Sequence, residues 1–518
     1  MQFSPSFAVL PVLLVGGCLV GQSANTSAQT NSAKAAPKRL AQVPAAVKQP
    51  SAPSRIKNVV IIFADDQGAQ LGALGTPGIQ TPNVDALANK GVMFTQAFAT
   101  CASCSPSRSS LLTGMFPHSN GHWRNTVTPT LNDPDVNFTK AWKGVDKVGI
   151  HEDIPTLNEV LGKAGYFRAI TQKLHLSPPW KCPFDARNPV GIEPEGFERV
   201  IGGFIQQAGD KPFFIQANVA ATHRPFPPHL KALKGPLPDI NKIPVMPYLP
   251  DTPAMRADLQ EYFGTVELAD QCAGGILKAL DKAGVRDQTL VIYTSDQGEG
   301  YHRAKPSAYA AGTHVPLVFE GPGIAKDVTT DTLVSETDLM PTILDFIGLP
   351  IPSTVQGKSL RPLLTGATKS LPDRKYVFTE HNSHGPAEAE IYPSRAVFDG
   401  RYYYIKNLIP GKDYTLPADL EKSGPPWFNG SYDAAIAAKD QFPTQYLKLQ
   451  ELLHGRPPEE LYDMQFDAGQ LYNLAGDTAN RAKLLELRDV MAKWRKDTGD
   501  YGTHPREIVR RESPEAKF

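Results

Sequence analysis

Asn58-Val59-Val60-Ile61-Ile62-Phe63-Ala64 is an unbroken apolar run, rich in β-branched residues, that opens directly onto Asp65-Asp66-Gln67-Gly68. A strand with one wet face alternates polar and apolar residues. A run without alternation belongs to a strand covered on both faces, as in a parallel sheet flanked by helices. The polar turn at its C-terminal end lies where open α/β sheets gather their ligands. A second stretch repeats the pattern: Thr289-Leu290-Val291-Ile292-Tyr293-Thr294 leads into Ser295-Asp296-Gln297-Gly298. Two covered strands that deliver acidic turns to one sheet edge predict a single site assembled from distant parts of the chain.

Strand–helix alternation fills the interval. Helices are expected over Pro82–Lys90, with Thr81 as cap, over Thr156–Gly165 and, long and amphipathic, over Arg256–Ala283. Strands are expected at Phe167–Thr171 and Pro212–Val219. Past residue 370 the texture changes. Lys375–Thr379, Arg395–Phe398 and Tyr402–Ile405 read as antiparallel strands, the last two joined through Asp399-Gly400, and Ala482–Lys496 as a closing helix. The fold class is therefore α/β, with a central, mostly parallel sheet in a main domain over 55–370 and a smaller α+β subdomain over 371–518.

The N-terminus reads as an export signal, residues 1–24, because Phe7–Val20 is mostly apolar yet too short to span a bilayer. Val15-Gly16-Gly17-Cys18 is similar to a bacterial lipoprotein cleavage box, which makes Cys18 a candidate lipid anchor, although Met1–Phe7 carries no Lys or Arg. Residues 25–54, rich in Ala, Ser, Thr, Gln and Pro, are expected to form a disordered tether. The expected location is outside the cytoplasm: periplasmic, secreted or lipid-anchored. Lys+Arg and Asp+Glu both number 53, so no global field points to nucleic acid or to an anionic membrane. Membrane attachment is expected only through Cys18. The cysteines beyond the signal, Cys101, Cys104, Cys182 and Cys272, are too few for a disulfide scaffold.

One of them opens Cys104-Ser105-Pro106-Ser107-Arg108, which continues through Ser109-Ser110-Leu111-Leu112 to Thr113-Gly114. By itself Cys104 reads as a buried cysteine at a helix start, or as half of a Cys101–Cys104 bridge. Asp65, Asp66, Asp296 and Gln297 offer only oxygen donors, which suits Ca²⁺ or Mg²⁺ better than zinc.

The whole Cys104 string resembles the signature of the sulfatase family, in which cysteine before Ser/x-Pro-x-Arg is oxidised to formylglycine. Cys104 satisfies that pattern and Cys101 does not. The resemblance runs from about Lys57 to Thr498 and implies an alkaline-phosphatase-like α/β sandwich. It also implies a formylglycine-generating enzyme as partner and a sulfated carbohydrate as substrate. A hydrated aldehyde carries two hydroxyls: one attacks sulfur, and deprotonation of the other expels sulfate. By the same resemblance Arg108 orients the nucleophile, and His175, in Lys173-Leu174-His175, takes the proton. Lys173, His223 (in Thr222-His223-Arg224-Pro225) and Lys305 hold sulfate oxygens, and His223 protonates the leaving atom. Asp65, Asp66, Asp296 and Gln297, with the modified Cys104, form the metal site. Gln297 departs from the family, which usually has Asn there.

Further stretches resemble the sulfamidase (N-sulfoglucosamine sulfohydrolase) branch: Ser103–Gly121, Pro247–Pro253 with Arg256–Leu259, Tyr392–Arg395 and Ala492–Arg495. Lys305 departs from that branch, which tends to carry Arg there, and points to an O-sulfatase acting on a sulfated polysaccharide as the alternative. Two remoter readings are a phosphohydrolase of the same superfold and a glycan-binding protein whose Cys104 stays unmodified. Sugar contacts are expected around Trp123–Asn125, Lys181–Asn188 and Asn382–Tyr392. His302 and His314 are expected to be ordinary structural residues.

Overall fold

The computed structural model describes residues 56–126, 148–416 and 430–502, all within one compact unit that spans 51–518. The expected export signal, Cys18 and the expected tether over 25–54 lie outside the described residues. No described helix is long and apolar enough to cross a membrane.

The strands, in chain order, are β1 (Asn58–Ala64), β2 (Val92–Phe94), β3 (Ala97–Phe98), β4 (Phe167–Thr171), β5 (Ala186–Asn188), β6 (Phe213–Val219), β7 (Thr289–Ser295), β8 (Leu317–Glu320), β9 (Val328–Thr330) and β10 (Val334–Ser335). Beyond residue 370 come β11 (Val377–Ser383), β12 (Ile391–Phe398), β13 (Tyr402–Asn407) and β14 (Glu459–Asp463). The main sheet has the order β5-β4-β6-β1-β7-β8-β2-β9, with β8 antiparallel to both neighbours and the other pairings parallel. The mixed, mostly parallel α/β class expected from the sequence is the class observed.

β1 sits near the middle of the sheet, and its side chains alternate between two cores. Val59, Ile61 and Phe63 pack with Leu111, Leu112, Met340 and Ile343 on one face. Val60 and Ile62 pack with Phe197, Leu268, Cys272 and Ile276 on the other. Each such side chain gains about 1.5–3 kcal/mol on leaving water, so a charge within β1 would cost more than most domains can spare. The second layer contains the helices Pro194–Ala208 and Pro253–Lys282, and the first contains Cys104–Thr113 and Leu339–Phe346.

Thr81 stands at the N-cap of helix Pro82–Asn89, as expected, although its hydroxyl makes no cap hydrogen bond. It donates instead to Asp85 Oδ1 (2.8 Å) and accepts from Gly72 N–H (2.8 Å), which ties down the incoming loop. Thr156, by contrast, closes a full capping box with Glu159 on Leu157–Lys163. Cys101, Cys104, Cys182 and Cys272 are all free and buried, so the Cys101–Cys104 bridge is absent.

The second sheet runs β11-β12-β13-β14, antiparallel throughout. One face packs on helix Arg481–Thr498 through Val397, Tyr404, Leu461, Leu487 and Trp494, the other on Phe98 and Tyr309 through Phe398, Tyr403 and Tyr462. β12 begins at Ile391, four residues before the expected Arg395. Pro393 falls within a register shift between β11 and β12, where its missing N–H costs no ladder bond. β11 also runs on to Ser383 rather than ending at Thr379, and Glu380 N–H donates to Thr100 O (2.7 Å). That bond joins the second sheet to the segment leading to Cys104.

Candidate active site

The strand ends converge as the sequence implies. β1 and β7 lie side by side in register, Ala64 opposite Ser295, so the two acidic turns emerge together. Asp66 N–H donates to Asp296 Oδ1 (3.1 Å), and Gln67 N–H to Ser295 Oγ (3.0 Å). Asp66 adopts φ 66°, a left-handed conformation that Asp tolerates better than most residues.

Cys104 opens its helix directly above these turns. Its Sγ lies 3.7 Å from Asp65 Oδ1, 3.3 Å from Lys173 Nζ and 3.0 Å from Gln297 Nε2. Burial pushes the Cys104 thiol up to about 12, against the pull of Lys173 and Lys305. As a plain cysteine it is therefore a protonated, inert thiol at neutral pH. One helical turn on, Arg108 reaches under it: Nε and Nη2 contact Asp296 Oδ2 at 2.9 and 2.8 Å, and Nη1 donates to Asn218 Oδ1 (2.9 Å).

Charge is matched within the cluster. Three carboxylates (Asp65, Asp66, Asp296) face three cations. Lys173 Nζ contacts both Asp65 oxygens (3.0 and 2.7 Å), and Lys305 Nζ lies 2.8 Å from Asp66 Oδ2. Burial favours a protonated Asp65, but Lys173 and Arg108 outweigh it and hold that carboxyl well below the usual range. His223 Nδ1 donates to the Arg224 carbonyl (2.6 Å), which leaves Nε2 facing the site, 3.8 Å from Asp66 Oδ2. His175 Nε2 donates to Thr126 O (3.0 Å), so its unprotonated nitrogen is Nδ1, which is buried without a partner. Burial, with Lys173 and Arg108 nearby, depresses the His175 pKa well below its ordinary value, so the ring is neutral and can accept a proton.

The expected site residues thus meet in one cluster, except His175, which stands near Lys173 and Arg108 with its bond to Thr126 O. Ligand atoms of Asp65, Asp66, Cys104 and His223 lie within 4.8 Å of one another. Asp296 stands just behind them, one oxygen taken by Arg108 and the other by Asp66 N–H. The Gln297 amide is wedged between Asp66 Oδ1 and Cys104 Sγ, while its Oε1 is buried with no hydrogen bond. An N–H there supplies the positive charge that the carboxylate needs. Turned over, the same amide offers an oxygen to a cation in the cluster. The donor set and this orphaned oxygen fit a hard divalent ion.

The sequence reading missed several supports. Asn218, on β6, holds Arg108 with its oxygen, and its Nδ2 donates to Thr171 O and Lys173 O (2.9 Å each). The two amides Gln216 and Asn218 in an otherwise apolar buried strand were the available signal. Arg224 donates to Gly300 O (2.9 Å) and forks onto Asp258 (3.0 and 2.6 Å), so it bolts the His223 loop to the loop leading to Lys305. Of the expected sugar-contact stretches, 123–125 and 382–392 bring Asn125 and His384 beside Cys104. Lys181 is a correction: its Nζ is buried against Glu159 (3.0 and 2.9 Å) and the Glu152 carbonyl (3.0 Å), a structural ion pair. His314 is structural, its Nε2 bonded to Thr95 O (2.9 Å), whereas His302 is buried with neither ring nitrogen paired.

A fold of this class with a Cys-x-Pro-x-Arg helix over paired acidic turns matches the sulfatase family profile over residues 57–202 and 194–349. The chain belongs to the sulfatase family and is a sulfuric ester hydrolase. A second profile, described as N-sulphoglucosamine sulphohydrolase, C-terminal, matches residues 298–438. Human N-sulphoglucosamine sulphohydrolase is 30% identical over 495 residues, covering 86% of this chain and 91% of the relative. An ulvan-active sulfatase of Formosa agariphila is 27% identical, over 86% of this chain and 76% of its own. Among solved structures, a 2-O GAG sulfatase superposes with TM-score 0.62 at 23% identity, covering 86% of this chain and 93% of the other. The phosphonate monoester hydrolase of Agrobacterium radiobacter reaches TM-score 0.61 at 19% identity, covering 85% and 96%. The fold is alkaline-phosphatase-like, and it carries more than one chemistry.

Proposed function

We propose that this sulfatase removes sulfate from a sulfated sugar, using Cys104 oxidised to formylglycine and one divalent cation, Ca²⁺ or Mg²⁺, held by Asp65, Asp66, Asp296 and Gln297. The observation that carries the proposal is Cys104 Sγ lying among Asp65, Lys173 and Gln297, above the Arg108–Asp296 pair. When bound, the cation supplies positive charge to the sulfuryl oxygens and to the nucleophile. The protein's balanced charges accommodate both a dication and an anionic ester.

The chain's own groups then divide the work. Arg108 is fixed by Asp296 and Asn218 and holds the nucleophile's turn in place. Lys173, Lys305 and His223 ring the space in front of residue 104 and stabilise charge that spreads over sulfuryl oxygens in the transition state. In this proposal His223, with Nδ1–H held by the Arg224 carbonyl, gives a proton from Nε2 to the leaving atom when the ring is doubly protonated. In this proposal His175 Nδ1 takes the proton whose removal releases sulfate; its support is that Nε2 is held by the Thr126 carbonyl, which leaves Nδ1 unpartnered.

The first substrate candidate is N-sulfoglucosamine, supported by the match over residues 298–438 and by the 30% identical human relative. Lys305 and the ulvan-active relatives support the alternative, an O-sulfated polysaccharide. The deciding experiment uses enzyme whose residue 104 is shown by intact mass to be formylglycine after co-expression with a formylglycine-generating enzyme. Sulfate release is then compared for N-sulfoglucosamine and for O-sulfated monosaccharides. Release from the O-sulfated set alone rejects the sulfamidase reading and leaves the sulfatase one intact. The same proposal places the protein outside the cytoplasm, periplasmic, secreted or anchored at Cys18. Incorporation of labelled fatty acid that Cys18→Ser abolishes tests the anchor.

A further inference from the structure

The two residues that flank Cys104 are each held by a side chain from elsewhere, and those two side chains hold each other. Ser105 N–H donates to Asn125 Oδ1 (2.8 Å). With its oxygen so engaged, Asn125 presents Nδ2 to His384 Nε2 (3.2 Å), which must accept. His384 is then the Nδ1–H tautomer, and that N–H donates to Ser103 Oγ (3.2 Å) on the other side of the nucleophile. The closed circuit Ser103–His384–Asn125–Ser105 spans residue 104.

The circuit reaches the candidate base as well. Asn125 N–H donates to the His384 carbonyl (3.0 Å). The next residue, Thr126, takes Ser105 Oγ on its N–H (3.3 Å) and offers its carbonyl to His175 Nε2 (3.0 Å). The segment that orients His175 is therefore pinned by both strands of this network. His384 arrives from the second sheet: it follows β11 immediately after the register shift between His381 and Ser383. A bulge of this kind commonly re-aims the chain beside a site.

We propose that His384 is a positioning residue through which the C-terminal sheet sets the geometry of the nucleophile's turn and of His175. The inference rests on Cys104 being the nucleophile. Ser103 has no side-chain cap bond to its own helix, so without His384 its hydroxyl loses a named partner. Asn125 then loses the acceptor that fixes its amide. Misplacing a reacting group by a fraction of an ångström acts on turnover more than on binding.

The test compares His384→Ala and His384→Gln with wild type, each with formylglycine content measured by mass and folding checked by thermal unfolding. Gln can accept at Oε1 and donate at Nε2, so it can rebuild both bonds. Expected results are a kcat about tenfold or more lower for His384→Ala with KM nearly unchanged, and substantial recovery in His384→Gln. Asn125→Ala should lower kcat too, and the double variant should fall no further than the worse single one. Unchanged kcat in His384→Ala, a change confined to KM, no recovery with Gln, or additive losses in the double variant would each overturn the inference. Cys104→Ala, assayed in parallel, tells the two readings apart: activity surviving that change removes the nucleophile itself, whereas its loss beside a fully active His384→Ala removes only the role of His384.

Discussion

Lys305 Nζ lies 2.8 Å from Asp66 Oδ2, and both side chains are 1% exposed. A buried pair is weak evidence for stability, but removing one member strands the other charge away from water. Here the stranded group is a carboxylate of the candidate metal site. Lys305 neutralises Asp66 in the resting protein, and the proposed function gives it a second task, meeting sulfate oxygens in the reaction.

Lys305→Met keeps most of the stem and deletes the charge. Stability should fall by about 3 kcal/mol as the counter-charge of Asp66 is lost. Sulfate release should drop about 10²–10³-fold in kcat. Urea unfolding and turnover, measured on the same sample, check both. Full activity would show that Lys305 is only Asp66's counter-ion.

Activity should track conversion of Cys104. The thiol, raised to about 12 by burial, is almost wholly protonated at pH 7 and carries neither of the hydroxyls the chemistry needs. Preparations with different formylglycine fractions should give a straight line through zero activity at zero conversion. Cys104→Ala should be inactive with thermal unfolding nearly unchanged. A positive intercept would end the formylglycine assignment.

Exhaustive chelation should abolish turnover, and Ca²⁺ or Mg²⁺ should restore it, because the proposed ligands Asp65, Asp66, Asp296 and Gln297 offer oxygens. Gln297→Asn shortens the amide arm by one methylene and should retain or improve metal affinity if Oε1 is a ligand. Calorimetric titration of the metal into chelated protein reads that affinity directly. A strong loss would assign Gln297 another job.

A structural prediction concerns acid. Burial alone would raise the Asp500 pKa, but Arg395, paired through Nε and Nη2 (2.8 and 2.9 Å), outweighs it and holds the carboxyl well below its ordinary value. The unfolded chain thus binds more protons between the two pKa values. The pair's stabilisation is complete above about pH 4 and is lost as pH falls toward the folded value. Asp500→Asn should cost about 3 kcal/mol at pH 7, since Arg395 stays buried without its partner. The gap from wild type should narrow below about pH 4. Denaturant unfolding at pH 7 and at pH 3 measures both; a gap independent of pH would contradict the account.

Much was legible from local pattern. β1 matches the apolar run Asn58–Ala64 residue for residue, and β7 exceeds its expected span only by Ser295. Strands buried on both faces announce themselves because every side chain must be apolar. The Cys104 string, the acidic turns and the family were legible for a similar reason: each is a short contiguous stretch whose chemistry constrains neighbouring residues. Two local details were not legible. Whether the Thr81 hydroxyl meets a backbone N–H of its helix or the Asp85 carboxylate depends on the loop at Gly72. The start of β12 at Ile391, ahead of Pro393, depends on which partner residue the proline faces.

What packing alone decided lies between residues far apart in the chain. Ser103 and His384 are separated by 281 positions, Lys305 and Asp66 by 239, and Arg108 and Asn218 by 110. Periodicity records which face of a strand or helix is buried, so it determined the sheet and the two covered strands, while the contiguous Cys104 string marked the nucleophile's helix. It carries no record of what meets what across the interior. That Arg108 takes Asp296, that Asn218 rather than solvent completes it, and that a loop of the second sheet closes around Cys104 follow from shape. Buried polar groups must find partners within hydrogen-bond reach, and only the folded chain sets which ones are there.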